Sequence, residues 1–135
     1  MQQELVALHR YYIWANRMRI HFDEVLSSSK DINDENIEAM LYMSYWYAGL
    51  YVVIEGWQEL KLKDDIIDSF LTSPHVDLLR RYRNGVFHFQ AKYYDERFIA
   101  FMSEGASSAE WVRNLNRQFG RYFIEKHQER KNLSE

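Results

Sequence analysis

The sequence predicts an all-α protein, an up-and-down helical bundle of four to five helices with short loops. Three observations support this prediction. Apolar residues recur at spacings of three and four along most of the chain, and segments rich in Ser, Asp, Asn or Gly separate these stretches. No segment shows the alternation typical of a strand. With 135 residues, of which 47% are hydrophobic, the chain fits a single domain over residues 1–135 with a buried core.

The first helix is expected to begin at Gln2 and to end near Leu26. Its apolar residues fall on one face; they are Leu5, Leu8, Tyr12, Ala15, Met18, Phe22 and Val25. The polar residues from 27 to 34 predict a loop, and either Asn33 or Asp34 is expected to cap the next helix.

The second helix, residues 35–62, is apolar around most of its circumference, which predicts burial on several sides. Gly49 and Gly56 weaken helix propensity, and the expected reason is the close approach of a neighbouring helix. Glu55 at the end of the apolar run is expected to be either exposed or paired with a cation. The candidate partners are Arg80, Arg81 and Arg83.

Composition favours a cytoplasmic protein without a membrane span. The chain has no cysteine, which suits a reducing compartment and excludes thiolate metal sites. Its first residues have neither the basic nor the apolar region of a signal peptide. The uncharged run from Ala39 to Ile54 is shorter than the ~20 residues that a spanning helix needs.

The middle of the chain predicts a short helix over residues 64–71 and a third long helix over residues 74–93. Pro74 fits the first turn of the latter. Residues 95–102 are expected to continue this helix or to form a short one. The predicted core stripe of the third long helix consists of Leu79, Tyr82, Val86, Phe89 and Tyr93.

The last helix is expected to begin at a capping box, Ser107-Ser108-Ala109-Glu110, and to end near Lys131. The residues after it are expected to fray. The predicted buried face carries Trp111, Leu115, Phe119 and Tyr122.

The charge of the chain changes sign between His75 and Tyr93, which we take to be the functional centre. Four cations stand there against Asp77, a local charge of +3 in a chain of net charge −3. The cations are Arg80, Arg81, Arg83 and Lys92. The overall charge argues against non-specific coating of nucleic acid, while a local basic site remains compatible with it.

No metal and no cofactor is expected from the motifs. The sequence contains no His-Glu-x-x-His, no paired Glu-x-x-His, no EF-hand loop, no glycine-rich phosphate loop and no nucleophile elbow. Four histidines lie on separate predicted elements and are expected to be surface or capping residues; they are His9, His21, His75 and His127.

Arg83 and His88 together supply the groups needed to cleave RNA without a metal. A histidine transfers protons near neutral pH, and an arginine stabilises charge that gathers on a phosphate. On a straight helix residues five apart point ~140° apart, whereas Arg81 and His88 differ by only ~20°. Either Gly85 permits a bend, or the cluster closes across a two-fold axis. The structural alternative is a salt-bridged arginine face beside a surface histidine.

The segment Arg83-Asn84-Gly85-Val86-Phe87-His88 resembles the Arg-x(4 to 6)-His motif of the HEPN superfamily, including the polar residue after the arginine. Arg81 to His88 fits the longer spacing of the same motif. The resemblance covers essentially the whole chain. It implies a helical bundle that forms a homodimer and brings two motifs together in a cleft. Many such domains are metal-independent endoribonucleases in toxin-antitoxin or defence systems.

By this resemblance His88 is the acid or base, Arg83 stabilises the transition state and Asn84 orients them. The implied products are a 2′,3′-cyclic phosphate and a 5′-hydroxyl. Some HEPN toxins carry a tyrosine two residues after the histidine, which a partner nucleotidyltransferase modifies. Gln90 stands at that position here, and the nearest downstream tyrosine is Tyr93. An antitoxin or a nucleotidyltransferase is therefore an expected class of partner whose route of regulation departs from this pattern.

Other basic residues are expected to hold the RNA backbone, namely Arg80, Arg81 and Lys92. Aromatic residues nearby could stack on bases, although for Tyr82, Phe89 and Tyr93 the core stripe favours packing. The stacking candidates are Tyr82, Phe87, Tyr93 and Tyr94. Two alternatives to the nuclease stay open. One is a non-catalytic HEPN-like module that binds a nucleotide, an RNA or a partner protein, and the other is a helical dimer assembled through the aromatic second helix.

Overall fold

The computed structural model describes residues 2–28 and 32–133, and within them the side chains of residues 3–28 and 37–133. The described residues form six helices and no strand, which confirms the all-α bundle. The number of helices exceeds the predicted four to five because residues 65–70 and residues 96–102 each form a separate short helix. The helices are α1 (Gln2–Ser28), α2 (Ile32–Glu59), α3 (Asp65–Phe70), α4 (His75–Phe87), α5 (Glu96–Met102) and α6 (Ala106–Leu133).

Helix α2 lies at the centre of the bundle and packs against α1 and α4. Trp46 and Trp57 on α2 are fully buried, and Trp57 meets Phe119 and Tyr122 of α6 edge to face. The predicted burial of α2 on several sides is therefore confirmed. The exception is its first half, where four large apolar side chains remain exposed: Ile37, Met40, Leu41 and Tyr45.

The glycines of α2 lie where α1 approaches most closely, as predicted. A Cβ atom at Gly49 would lie 3.1 Å from the Cβ atom of Ala15, and a Cβ atom at Gly56 would collide with a methyl group of Leu8. The missing side chains let the two helices approach, which compensates for the lower helix propensity of glycine.

Helix α2 ends at Glu59, three residues before the predicted end at Leu62. Lys61 adopts the left-handed conformation with φ 55°. The Lys61 amide donates to the Gln58 carbonyl (3.1 Å), and the Leu62 amide donates to the Trp57 carbonyl (3.1 Å). This is a Schellman motif, which satisfies carbonyls that would otherwise be unpaired at a helix end.

Two predicted helix starts are wrong. Because α2 begins at Ile32, Asn33 and Asp34 lie inside the helix rather than capping it. Part of the predicted loop, residues 29–31, lies outside the described residues. Helix α6 begins at Ala106, before the predicted capping box. The hydroxyl of Ser108 instead donates to the Phe101 carbonyl (2.9 Å) and ties α6 to the end of α5.

Helix α4 ends at Phe87, six residues before the predicted end. His88 is extended, and Phe89 and Tyr93, both predicted for the core, are 95% and 87% exposed. The physical reason is α5, whose Phe98 packs edge to face on Tyr82 at 5.4 Å and fills the place that a longer α4 would occupy. Residues 95–102 accordingly form a separate helix, capped by Asp95.

Residues Ile37–Glu59 of α2 are long and apolar enough to cross a membrane by length and composition, and half of their most apolar stretch is buried inside the bundle. The core helix of a soluble protein has the same properties. The fold is therefore compatible with a soluble protein.

Candidate functional site

Helix α4 carries most of the residues predicted for the functional centre. Pro74 precedes its first residue with helical backbone angles, and Asp77 lies in its first turn, where a carboxylate stabilises the positive end of the helix. Leu79, Tyr82 and Gly85 form its buried side. The three arginines lie between these positions and therefore occupy the flanks of the helix.

Arg83 is held by three contacts. Its Nε atom donates to the Asn84 side-chain oxygen (2.9 Å), and its Nη1 atom donates to Glu55 Oε1 on α2 (2.7 Å). Its guanidinium carbon lies 4.8 Å from the centre of the Tyr51 ring. The third nitrogen, Nη2, makes no hydrogen bond to any described residue. Arg83 is thus the partner of Glu55 among the three candidates, and its Nη2 atom has no hydrogen-bond partner among the described residues.

The Tyr51 ring under Arg83 remains a neutral phenol. Burial raises the pKa of Tyr51, and the nearby Glu55 carboxylate raises it further, while Arg83 and Arg80 oppose the rise. A neutral aromatic face attracts a cation through its quadrupole. Stacking on Tyr51 therefore orients the guanidinium without neutralising its charge.

Asn84 links the arginine to the histidine. Its side-chain oxygen accepts the bond from Arg83, and its main-chain carbonyl accepts the His88 amide at 3.1 Å. The His88 imidazole is exposed and makes no hydrogen bond or ion pair with the described part of the chain. The His88 carbonyl accepts from the Gln90 side chain at 2.7 Å. All three predicted catalytic residues thus lie at the C-terminal end of α4.

Helix α4 does not need a bend at Gly85, because it ends two residues later and His88 leaves the helical path. Gly85 serves a different purpose. A Cβ atom there would lie 2.9 Å from the Phe98 ring and 3.2 Å from Arg97 Cβ. The glycine therefore permits the close approach of α5, and the angular argument for a straight helix does not apply to His88.

The predicted RNA-binding cations separate around the helix. Arg80 Nη2 bonds Asp77 Oδ1 at 2.7 Å. Arg81 points to the other flank, where its Nη2 lies 3.4 Å from Glu96 of α5. Arg81 and Lys92 line one cleft of about 480 Å³ together with Arg97 and two carboxylates, those of Asp95 and Glu96. The structure therefore brings Arg81 and Lys92 together and leaves Arg80 apart from them.

The aromatic residues also divide. Tyr82 is buried, and its hydroxyl shares a hydrogen bond of 2.9 Å with Ser44, so its packing is confirmed. Phe89, Tyr93 and Tyr94 are exposed in the segment between α4 and α5, and the last two contact edge to face at 5.0 Å. Tyr94 lines the cleft that contains Arg81 and Lys92. Exposed rings therefore lie beside the cations of this flank.

His9 and His75 make contacts that stabilise the fold. His9 is half-buried and stacks on Phe123 at 4.7 Å. Its pKa is lowered, chiefly by burial and also by Arg130. The main-chain amide of His75 donates to Ser73 Oγ (3.1 Å) at the start of α4. Among the described residues, no group of three or more His, Cys, Asp or Glu side chains could hold a metal ion.

One basic cluster does not appear among the predicted sites. Arg19 of α1 and three arginines of α6 line a cleft of about 460 Å³. Those on α6 are Arg113, Arg117 and Arg121. A spacing of four is the signal that could have identified them, since it places the three side chains on one helix face.

The chain matches no protein-family model, no curated protein and no solved structure.

Proposed function

We propose that this chain is a HEPN-type, metal-independent endoribonuclease of the cytoplasm, a toxin or defence protein, which acts as a homodimer through Arg83, Asn84 and His88. The observation that carries the proposal is the bond from Arg83 Nε to the Asn84 side chain, combined with the uncommitted Nη2 atom. It gives the polar residue after the arginine the orienting role that the resemblance implies. The exposed His88 imidazole lies on the same end of α4.

The proposed reaction is an internal transfer at phosphorus. The 2′-oxygen of the RNA attacks the adjacent phosphorus and loses its proton, the bond from phosphorus to the 5′-oxygen breaks, and the 5′-oxygen gains a proton. The products are a 2′,3′-cyclic phosphate and a 5′-hydroxyl. His88 serves as acid or base, and two copies of the motif in a dimer supply one of each. Arg83 donates to the phosphate oxygens on which charge accumulates.

The flank toward α5 is the proposed path of the RNA. Arg81 and Lys92 supply positive charge for the backbone, and Tyr94 lies in the same cleft. Phe89 and Tyr93 are exposed nearby and suit stacking on unpaired bases. Arg80, at the other flank, extends the positive surface toward α2.

The proposed dimer uses the exposed apolar surface near the end of α4. A groove of about 730 Å³ runs between the first half of α2 and the region where α4 meets α5. Exposed apolar side chains at its edge include Ile37, Met40 and Tyr93. A typical interface buries ~800 Å² on each partner. An antitoxin or a nucleotidyltransferase is the further partner class, with Gln90 in place of the usual tyrosine.

The ion pair between Arg83 and Glu55 favours a second candidate, a non-catalytic HEPN-like module that binds a nucleotide, an RNA or a partner protein. A carboxylate 2.7 Å from the guanidinium competes with a phosphate for the same charge. In this alternative the pair fastens α4 to α2, and binding occurs on the flank that contains Arg81 and Lys92.

The decisive experiment is cleavage of a mixed RNA pool in the presence of EDTA by the wild-type protein, Arg83→Ala and His88→Ala. The expected result is cutting that leaves cyclic phosphates. Loss of a general acid or base lowers the rate ~10² to 10⁴-fold, so His88→Ala is expected to abolish detectable cleavage. Removing an oxyanion-stabilising donor costs ~10² to 10³-fold, which is the effect expected for Arg83→Ala.

Matched controls remove the same residue types elsewhere. Arg17→Ala on α1 and His127→Ala on α6 change exposed residues far from α4 in sequence and are expected to cleave like the wild type. Size-exclusion chromatography with light scattering records the dimer for every variant. Absence of cleavage by a folded wild-type dimer, or cleavage by Arg83→Ala and His88→Ala at the wild-type rate, would transfer the assignment to the binding module.

A further inference from the structure

The groove between α1 and α6 is lined by cations and neutral groups. Four arginines face a cleft of about 460 Å³, together with Tyr12, Asn16 and Asn116. No Asp or Glu belongs to the lining among the described residues. The carboxylates that pair with these arginines therefore do not line the cleft.

Asp23 holds two of the four arginines. Its Oδ1 atom accepts from Arg113 Nη2 at 2.6 Å, and its Oδ2 atom accepts from Arg19 Nη1 at 2.8 Å. Arg113 also lies over the Trp46 ring, 5.3 Å from its centre. Two guanidinium groups share one carboxylate, so this side of the cleft keeps a net positive charge and a fixed geometry.

The other two arginines differ from each other. Arg121 donates to Asp64 at 2.8 Å and to Glu125 at 3.1 Å. Arg117 donates to the Asn114 side chain at 3.0 Å and pairs with no carboxylate of the described residues. Around the cleft, four guanidinium groups thus stand against three bonded carboxylates, a net charge of +1, and Arg117 is the one arginine of the four without a carboxylate partner among the described residues.

The Tyr12 hydroxyl makes no hydrogen bond to any described residue. The residue as a whole is only 9% exposed, but no buried side-chain polar atom of the described residues lacks a partner, so this hydroxyl oxygen is open to the solvent of the cleft. A Cβ atom at Gly120 of α6 would lie 2.5 Å from this hydroxyl oxygen, so the glycine makes room for it in the cleft. Burial raises the pKa of Tyr12 against a smaller opposing effect of Arg19, so the phenol keeps its proton. A hydroxyl that is open to the cleft and has no protein partner can donate to an acceptor bound there.

We propose that the cleft between α1 and α6 binds a small molecule that carries two or more phosphate groups. Guanidinium groups bind phosphate oxygens through paired hydrogen bonds, and the Tyr12 hydroxyl adds a neutral donor. The cleft volume falls within the ~300 to 1,000 Å³ that small-molecule sites occupy. Ion pairs with carboxylates outside the lining hold Arg19, Arg113 and Arg121 in place. The site does not depend on the nuclease proposal, since it involves different helices.

The test is a calorimetric titration of the full chain with inorganic pyrophosphate in a chloride buffer at ~0.15 M ionic strength. Arg117→Gln removes the charge of the arginine that has no carboxylate partner among the described residues, and Tyr12→Phe removes only the hydroxyl. Each is expected to weaken pyrophosphate binding ~10-fold or more, because a hydrogen bond to a charged group is lost. Arg17→Gln removes an exposed arginine of α1 outside the cleft and is expected to leave the affinity unchanged. Near-ultraviolet circular dichroism compares the folds.

Two further ligands separate the sources of phosphate. Orthophosphate is expected to bind at least ~10-fold more weakly than pyrophosphate, since it engages fewer guanidinium groups. Any binding of a six-nucleotide RNA without terminal phosphates is expected to be unchanged in Arg117→Gln. Absence of pyrophosphate binding, an equal loss in Arg17→Gln, or RNA binding that is tighter than pyrophosphate and lost in Arg117→Gln would overturn the proposal.

Discussion

The flank of α4 and the cleft between α1 and α6 both contain several arginines, but they arrange them in opposite ways. Arg80, Arg81 and Arg83 are near neighbours in sequence and point to different partners around their helix. Arg113, Arg117 and Arg121 are four residues apart and meet in one cleft. Each residue turns a helix by ~100°, so cations that are close in sequence disperse, while cations one turn apart converge. A basic site on a helix is therefore better indicated by cations that recur every three or four residues than by many cations in a short stretch of sequence.

Each region contains an asparagine whose side chain makes hydrogen bonds, and the two differ in burial. Replacing the buried one is expected to have the largest effect on stability. Asn116 is 3% exposed; its Oδ1 atom accepts from Trp46 Nε1 at 3.1 Å, and its Nδ2 atom donates to Asn16 at 3.0 Å. We expect Asn116→Ala to lower the free energy of unfolding by ~2 to 4 kcal/mol, because it leaves a buried indole donor unpaired. Urea denaturation measures this.

Asn84→Ala on α4 is the matched control, since Asn84 is half-buried and its side chain bonds only Arg83 among the described residues. We expect it to cost ~1 kcal/mol or less. Equal losses in the two variants would mean that the polar network under the cleft is no more structural than the α4 site.

The next largest difference in stability is expected between two aspartates that pair with arginine, Asp64 near the cleft and Asp77 on α4. Asp64 caps α3 through the Ile66 and Ile67 amides and also binds Arg121, whereas Asp77 is mostly exposed and binds Arg80 alone. We expect Asp64→Ala to destabilise the protein by ~1 to 2 kcal/mol and Asp77→Ala by less than ~0.5 kcal/mol. Thermal melts of both variants at pH 7 provide the comparison. A larger loss of stability in Asp77→Ala than in Asp64→Ala would contradict this prediction.

Asp64 should also make the stability of the fold depend on pH, because its carboxylate pairs with Arg121. Burial alone raises the pKa of Asp64, but the hydrogen bonds from Arg121 and from the α3 amides outweigh it, so the pKa is lowered. A carboxylate with a lowered folded-state pKa stabilises the fold above the unfolded value of ~3.9, and this stabilisation is lost as the pH falls through the folded-state pKa. The melting temperature of the wild type should therefore fall more steeply below ~pH 5 than that of Asp64→Asn. Parallel curves would contradict this.

The smallest expected effect concerns Glu55, and it depends on the proposed nuclease. Glu55→Gln keeps an oxygen acceptor for Arg83 but removes the negative charge 2.7 Å from its guanidinium. We expect the KM for RNA to fall ~3-fold with kcat retained, because a phosphate no longer meets a neighbouring carboxylate. Stability should change by less than ~1 kcal/mol, since the pair is partly exposed. Steady-state cleavage kinetics measure the first effect, and a lower kcat would show that the charge of Glu55 positions Arg83.

The part of the α4 site that could be predicted is the part formed by residues that are neighbours in sequence. Asn84 follows Arg83 directly, and their hydrogen bond needs no tertiary information. The end of α4 could not be predicted, because Phe89 and Tyr93 continue the apolar period of the helix. Phe98 and Phe101 of α5 take the places in the core instead. Helical periodicity cannot decide which of two competing apolar segments a core accepts.

The α1/α6 cleft shows the opposite limit. Arg113 and Asp23 are ninety residues apart in sequence and share a hydrogen bond of 2.6 Å. The amphipathic pattern predicts that both helices exist, although not the start of α6, and it does not show that they meet through polar groups. Knowledge of the helix neighbours is needed before the spacing of the α6 arginines acquires a meaning.

The position of α6 over the α2 tryptophans has a consequence for how the protein is made on the ribosome. The α1 to α5 segment, with every residue of the α4 site, is synthesised before α6. Until α6 emerges, Trp57 lacks the Phe119 and Tyr122 rings that cover it, and Trp46 lacks the Asn116 amide. If α1 to α5 pack before α6 is complete, these tryptophans form an apolar face that is open to water, and such transiently exposed surface promotes aggregation. Completion of α6 closes that face and creates the arginine cleft in the same step.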